Sequence, residues 1–184
     1  MTCVVRFFLG ERMKIEVIVA NIVMQYDVDA VVNSANANLR TGSGVAGAIH
    51  MAAGPDLEKF CQPFAPLELG AALITPGFNL ANPWIIHVRA AHYILNTEPE
   101  RYMAFAMFSV LNTARDNAIR SLALPAIGTG VFKFPPMLAA RITAKALREF
   151  EKNSDAIDLV RICVVNEEMR RLYESAVALE GVPC

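Results

Sequence analysis

Two asparagines three apart, Asn33 and Asn36, close a short apolar run at residues 30–32, and a loop with Gly42, Gly44 and Gly47 follows them into a small-residue helix. The order suits an anion. A buried strand delivers polar side chains, glycines let the backbone approach a ligand closely, and a helix N-terminus offers free N–H groups and a partial positive charge. The ligand group this pattern calls for is a phosphate. A single glycine loop is equally a tight turn, but a second one, Gly128-Thr129-Gly130, follows another apolar run at 121–125. If the two runs are neighbouring strands, amides from two sides grip a diphosphate without any lysine.

The elements that must hold these loops read off the hydrophobic pattern. Residues 4–9 and 15–19 are β-branched or aromatic runs separated by Gly10-Glu11-Arg12, which predicts two strands, as a hairpin. Short apolar runs at 30–33, 71–75, 85–88, 121–125 and 159–165 predict further strands. Helices are predicted over 45–53, 56–64, 101–119, 136–151 and 167–179, with Gly54-Pro55 as a stop followed by a new start. Strands alternating with helices imply an α/β fold. The expected architecture is a three-layer α/β/α sandwich around a mixed, mainly parallel central sheet, with both glycine loops at the carboxyl ends of strands.

Composition narrows the classes of function. A chain of 184 residues with 54% hydrophobic content suits one domain, 1–184, with a core of about 14–178 and residues 1–12 as an added strand or extension; Met13 is a second candidate start. A formal net charge of -1 and a pI near 6.3 argue against a nucleic-acid partner or an anionic membrane surface. No run reaches the ~18 apolar residues of a membrane span. Cys3, Cys61, Cys163 and Cys184 are scattered, without Cys-x-x-Cys pairs or histidines at ligand spacing, so no metal and no resident cofactor is expected. Reduced thiols fit a cytoplasmic protein.

Two nucleotide motifs come up short. Gly42-Ser-Gly44-Val-Ala-Gly47 matches the dinucleotide fingerprint in form, but eight residues, 34–41, separate it from its strand, and no strand ending in an acid follows at 61–69. The chain contains no Gly-x-x-x-x-Gly-Lys-Ser/Thr loop.

Taken together, Val-Asp-Ala-Val-Val-Asn-Ser-Ala-Asn (28–36), Gly-Ser-Gly-Val-Ala-Gly-Ala-Ile-His (42–50), the segment 75–87 with Pro76 and Ile85-Ile86-His87, and Leu-Pro-Ala-Ile-Gly-Thr-Gly-Val-Phe (124–132) resemble a macro domain of the stand-alone bacterial type, over about residues 14–178. The resemblance implies a site for ADP-ribose, or for an ADP-ribosylated protein, in a cleft above the sheet. In some members it also implies hydrolysis of ADP-ribosyl esters or of O-acetyl-ADP-ribose.

Carried onto this chain, the resemblance assigns Asn36 to the distal ribose, Gly44, Val45 and Ala46 to one diphosphate loop, and Gly128, Thr129, Gly130 and Val131 to the other. Phe132 stands where an aromatic covers the distal ribose. The adenine packs near Ile22 and Val165. Asn21 replaces the family's adenine-binding aspartate, which predicts weaker adenine binding or another base preference, because a neutral amide oxygen is a weaker acceptor than a carboxylate. Ala46 stands where the hydrolase branch carries an aspartate, while His50, four residues on and on the same side of the helix, is retained. Asn36 and His50 are thus the candidate catalytic residues of a slow hydrolase. That hydrolase is the alternative; the main expectation, which the missing acid at position 46 favours, is a module that binds ADP-ribose or a related ADP-ribosyl metabolite.

Overall fold

The computed structural model describes residues 13–180, so the expected strand at 4–9 lies outside the described residues. Six strands form one sheet: β1 (Lys14–Val19), β2 (Ala30–Ser34), β3 (Ala72–Pro76), β4 (Trp84–Val88), β5 (Ser121–Pro125) and β6 (Leu159–Val164), in the order β1-β6-β5-β2-β4-β3. All pairs are parallel except β3 with β4, which form an antiparallel hairpin. The central strands are apolar on both sides because both are covered. Ala30 and Val32 of β2 join one core and Val31 joins the other.

The first core lies under α3 (Pro99–Asp116), α4 (Pro136–Asn153) and α5 (Glu167–Glu180). α3 buries Met103, Ala106, Met107, Val110, Leu111 and Ala114, the three-and-four spacing of a single helical stripe. The second core lies under α1 (Gly44–Ala53) and α2 (Pro55–Cys61), where Ile49, Ala53 and Leu57 meet Val31, Ile85 and Ala123 of the sheet. The result is the expected three-layer α/β/α architecture with a mixed, mainly parallel sheet.

Two helices end earlier than the pattern predicts. The helix expected over 56–64 stops at Cys61 and tightens into a 3-10 turn, Gln62–Phe64, because Pro63 has no N–H to give back to the preceding turn. The helix expected to run to 119 stops at Asp116, and the chain reverses through Ala118 at φ +55°.

The topology opens a crevice. β2 and β5 are neighbours, yet the segment after β2 leads to α1 in the second core and the segment after β5 leads to α4 in the first. Ligands of open α/β sheets bind at such a point of divergence, beyond the carboxyl ends of the strands.

Candidate functional site

A cleft of about 440 Å³ occupies this crevice, within the size range of small-molecule sites. Its floor comes from strand ends: Ala20 after β1, Ser34 of β2, Pro125 of β5 and Cys163 and Val164 of β6. One wall is the loop that starts α1, Ser43 to Ala46, and the facing wall is the loop after β5, from Ala126 to Phe132.

Both walls turn through left-handed backbone. Gly44 sits at φ +58° and Gly128 at φ +83°, in the left-handed region that costs glycine little. Gly47 has a different reason for lacking a side chain: a Cβ there would lie 2.4 Å from the carbonyl oxygen of Gly42. That close approach folds the loop back onto the first turn of α1. The amides of Gly44, Val45 and Ala46 are the free donors of a helix start, and Ser43 supplies no side-chain cap. Across the cleft, the amides of Gly130, Val131 and Phe132 likewise donate to no other group among the described residues, whereas their neighbours Thr129, Lys133 and Phe134 all close turns within the loop.

No lysine, arginine, aspartate, glutamate or histidine lines the cleft among the described residues. Its positive character therefore comes from backbone dipoles and the α1 N-terminus. Cys163 is the one ionisable side chain on the floor, and burial pushes its thiol up to about 11. It is a neutral thiol at physiological pH, not a nucleophile.

Of the residues singled out from the sequence, Asn21, Ile22, Gly44, Val45, Ala46, Gly128, Thr129, Gly130, Val131, Phe132 and Val165 come together as cleft lining. Asn36 and His50 do not line it. The Asn36 amide is turned to its own loop, accepting from the Arg40 N–H at 3.2 Å and donating to the Arg40 carbonyl at 2.7 Å. His50 is one helical turn beyond Ala46, buried, with neither ring nitrogen bonded, beside a second hollow lined also by Thr41, Met51, Glu58 and Gln62. Burial lowers its pKa against a smaller opposing pull from Glu58.

His87 belongs to neither hollow. The Thr75 hydroxyl gives its hydrogen to the Pro76 carbonyl, so its oxygen accepts from His87 Nε2, and the free His87 Nδ1 accepts from Asn33 Nδ2. Asn33 is thus a strut between β2 and β4. Sequence reading missed several lining residues, among them Ala20, Ser34, Ser43, Cys163 and Met169. Ser43 had a signal, its place between two loop glycines; Met169, from the first turn of α5, had none.

No group of three or more His, Cys, Asp or Glu side chains is arranged to hold a metal ion among the described residues, and no helix there is long and apolar enough to cross a membrane.

A family model described as Macro domain matches residues 32–143. A macro domain-containing protein of Ralstonia nicotianae is 40% identical over 149 residues, covering 80% of this chain and 85% of the relative. The ADP-ribose glycohydrolase MACROD2 of Xenopus laevis is 37% identical over 157 residues; the match spans 83% of this chain but 37% of that protein's length. Among solved structures, the Oceanobacillus iheyensis macrodomain with ADP superposes with a TM-score of 0.86 at 30% identity, covering 91% of this chain and 92% of the other. The Trypanosoma brucei macrodomain in complex with ADP-ribose gives 0.81 at 29% identity, covering 89% and 68%.

Proposed function

The chain belongs to the macro domain family, and on that premise we propose that its cleft binds ADP-ribose, free or carried on an ADP-ribosylated protein. One observation carries the reading: two rows of amides without a partner among the described residues, Gly44 to Ala46 and Gly130 to Phe132, belong to the two walls of a cleft whose described lining holds no charged side chain. A diphosphate fits that arrangement. Each N–H that meets a charged oxygen contributes about 1.5–3 kcal/mol, and fixed dipoles need no reorganisation when the anion arrives. On this reading Phe132 covers the sugar beyond one loop, and Ile22, Val165 and Met169 form an apolar slot for the base; all four line the cleft. Buried free thiols at Cys61 and Cys163 fit a cytoplasmic setting.

Calorimetry with ADP-ribose tests this directly. Saturable heat at micromolar to submillimolar ligand is expected; a titration flat to about a millimolar sinks the reading.

A second reading, a slow ADP-ribosyl ester or O-acetyl-ADP-ribose hydrolase, draws support from the 37% identity to a named glycohydrolase. The cleft lining weighs against it, since it contains no carboxylate or imidazole among the described residues. Lacking a general base removes about 10²- to 10⁴-fold of rate. For Asn36 to reach a ligand it must exchange its two bonds to Arg40. Release of ADP-ribose from an aspartyl- or glutamyl-linked substrate, abolished by Asn36→Ala, would favour the hydrolase; release that Asn36→Ala leaves untouched would discard it.

A further inference from the structure

The second wall of the cleft is tied to the rest of the molecule by hydrogen bonding at one point. Among the described residues, every hydrogen bond of residues 127–134 closes within residues 125–134 except one, in which the Tyr93 N–H donates to the Phe132 carbonyl at 2.7 Å. That bond comes from the turn after β4. The rings add to it: Tyr93 tilts onto Phe134 with centroids 5.2 Å apart, and His92 stands nearly perpendicular to Phe132 at 6.5 Å. Whatever fixes residues 92–93 therefore bears on where the free amides of Gly130, Val131 and Phe132 stand.

The turn closes on itself through polar groups. The His92 N–H donates to Asn96 Oδ1 at 2.7 Å, the Asn96 N–H to the His92 carbonyl at 3.1 Å, and the Ile94 N–H to His92 Nδ1 at 3.2 Å. Burial does not hold its tip, since Ile94 and Leu95 are 73% and 77% exposed. A ring nitrogen that accepts from the backbone N–H two residues on does what the oxygen of Asn or Asp does in an Asx-turn. Tyr93 lies inside that ring of atoms, so the bond from Ile94 to His92 sets the direction in which the Tyr93 N–H points.

Resting on the reading of the cleft as an ADP-ribose site, we infer that His92 is a positioning residue for it: by accepting the Ile94 N–H it closes the turn 92–96, and through Tyr93 that turn holds the second row of amides in place. His92 is not among the residues that line the cleft. Its effect on a ligand is therefore relayed by backbone. The bond at Nδ1 carries the role, and the approach of the ring to Phe132 is secondary to it.

Calorimetry with ADP-ribose on the full chain, with a thermal melt of each variant, tests the assignment. His92→Leu keeps an apolar side chain beside Phe132 but offers no acceptor, and affinity is expected to fall roughly five- to tenfold. His92→Asn gives up the ring and keeps an acceptor suited to an Asx-turn, so it should stay within about twofold of the wild type. Asn96→Ala removes the other side-chain bond of the turn and should weaken binding roughly threefold or more; it carries the test if His92→Leu does not fold. A His92→Leu variant that binds like the wild type, whatever its Tm, or a His92→Asn variant as weak as His92→Leu would overturn the inference and leave the cleft reading intact. So would unchanged affinity in Asn96→Ala where His92→Leu is unfolded. If the wild type gives no saturable heat, the cleft reading falls and takes this inference with it.

Discussion

At its N-terminal end α1 turns the free amides of Gly44, Val45 and Ala46 toward a cleft with no charged lining residue among the described ones; at its other end the same helix buries His50, unpaired at both ring nitrogens, beside Glu58. The polar groups at the first end are solvent-facing and fixed by backbone, so they wait for an anion without penalty. Those at the second end are desolvated and hold no partner, so they cost stability and gain nothing from the ligand. Ala46 and His50 share one side of the helix, but a rise of about 6 Å carries the imidazole past the mouth of the cleft. Position along the axis, not the side of the helix, divides the two environments.

The largest effect should come from closing the N-terminal end. Gly47→Ala puts a Cβ against the Gly42 carbonyl, and neither backbone can yield without moving the amides. ADP-ribose affinity is expected to fall by about 100-fold, read by calorimetry; unchanged affinity would mean the loop geometry is not what binds.

The next effect belongs to the buried imidazoles. Burial lowers the pKa of both His50 and His87, that of His87 to about 3. Since the unfolded chain takes up these protons from about pH 6.5 downward, their contribution to stability is whole above that value and drains as pH falls toward 3. Between pH 7 and pH 5 the His87 share is about 2 kcal/mol. Thermal melts should therefore show a lower Tm at pH 5, and His87→Gln should flatten the dependence; a Tm indifferent to pH would refute it.

His50→Leu removes two unpaired buried nitrogens and should raise stability by about 1 kcal/mol, with ADP-ribose affinity held within about twofold. A tenfold loss of affinity would erase the distinction between the two ends of the helix. The smallest effect concerns salt. A site made of backbone dipoles should lose less than about threefold in affinity between low and high ionic strength, where a lysine-lined site would lose much more.

Most of the architecture was legible because it rests on repetition. Runs such as 30–33 and 121–125 are apolar in a way that only a strand covered on both sides tolerates, and the stripe of α3 repeats over its whole length. The glycine loops were legible because glycine is favoured where φ is positive, as at Gly44 and Gly128, and required where backbones nearly touch, as at Gly47. What stayed hidden depends on how far and which way a side chain reaches. Nothing local says that the Asn36 amide closes on Arg40, that His50 lies below the cleft, or that Met169 returns from the far end of the chain to its rim. The Gln25–Arg161 bond joins residues 136 positions apart and leaves no trace in either segment.

The uncharged lining of the cleft also has a kinetic meaning. Charged mouths focus field lines and speed the arrival of anions by up to a thousandfold, whichever anion comes. Here no charged side chain among the described lining residues draws a ligand in from a distance, so association should proceed near the unsteered range of about 10⁵–10⁷ M⁻¹s⁻¹. Nucleic acids and abundant polyanions gain no advantage at such an entrance. On the proposed reading, discrimination then falls after arrival, on how long the two rows of amides keep what has entered, and the residence time becomes the quantity on which the site acts.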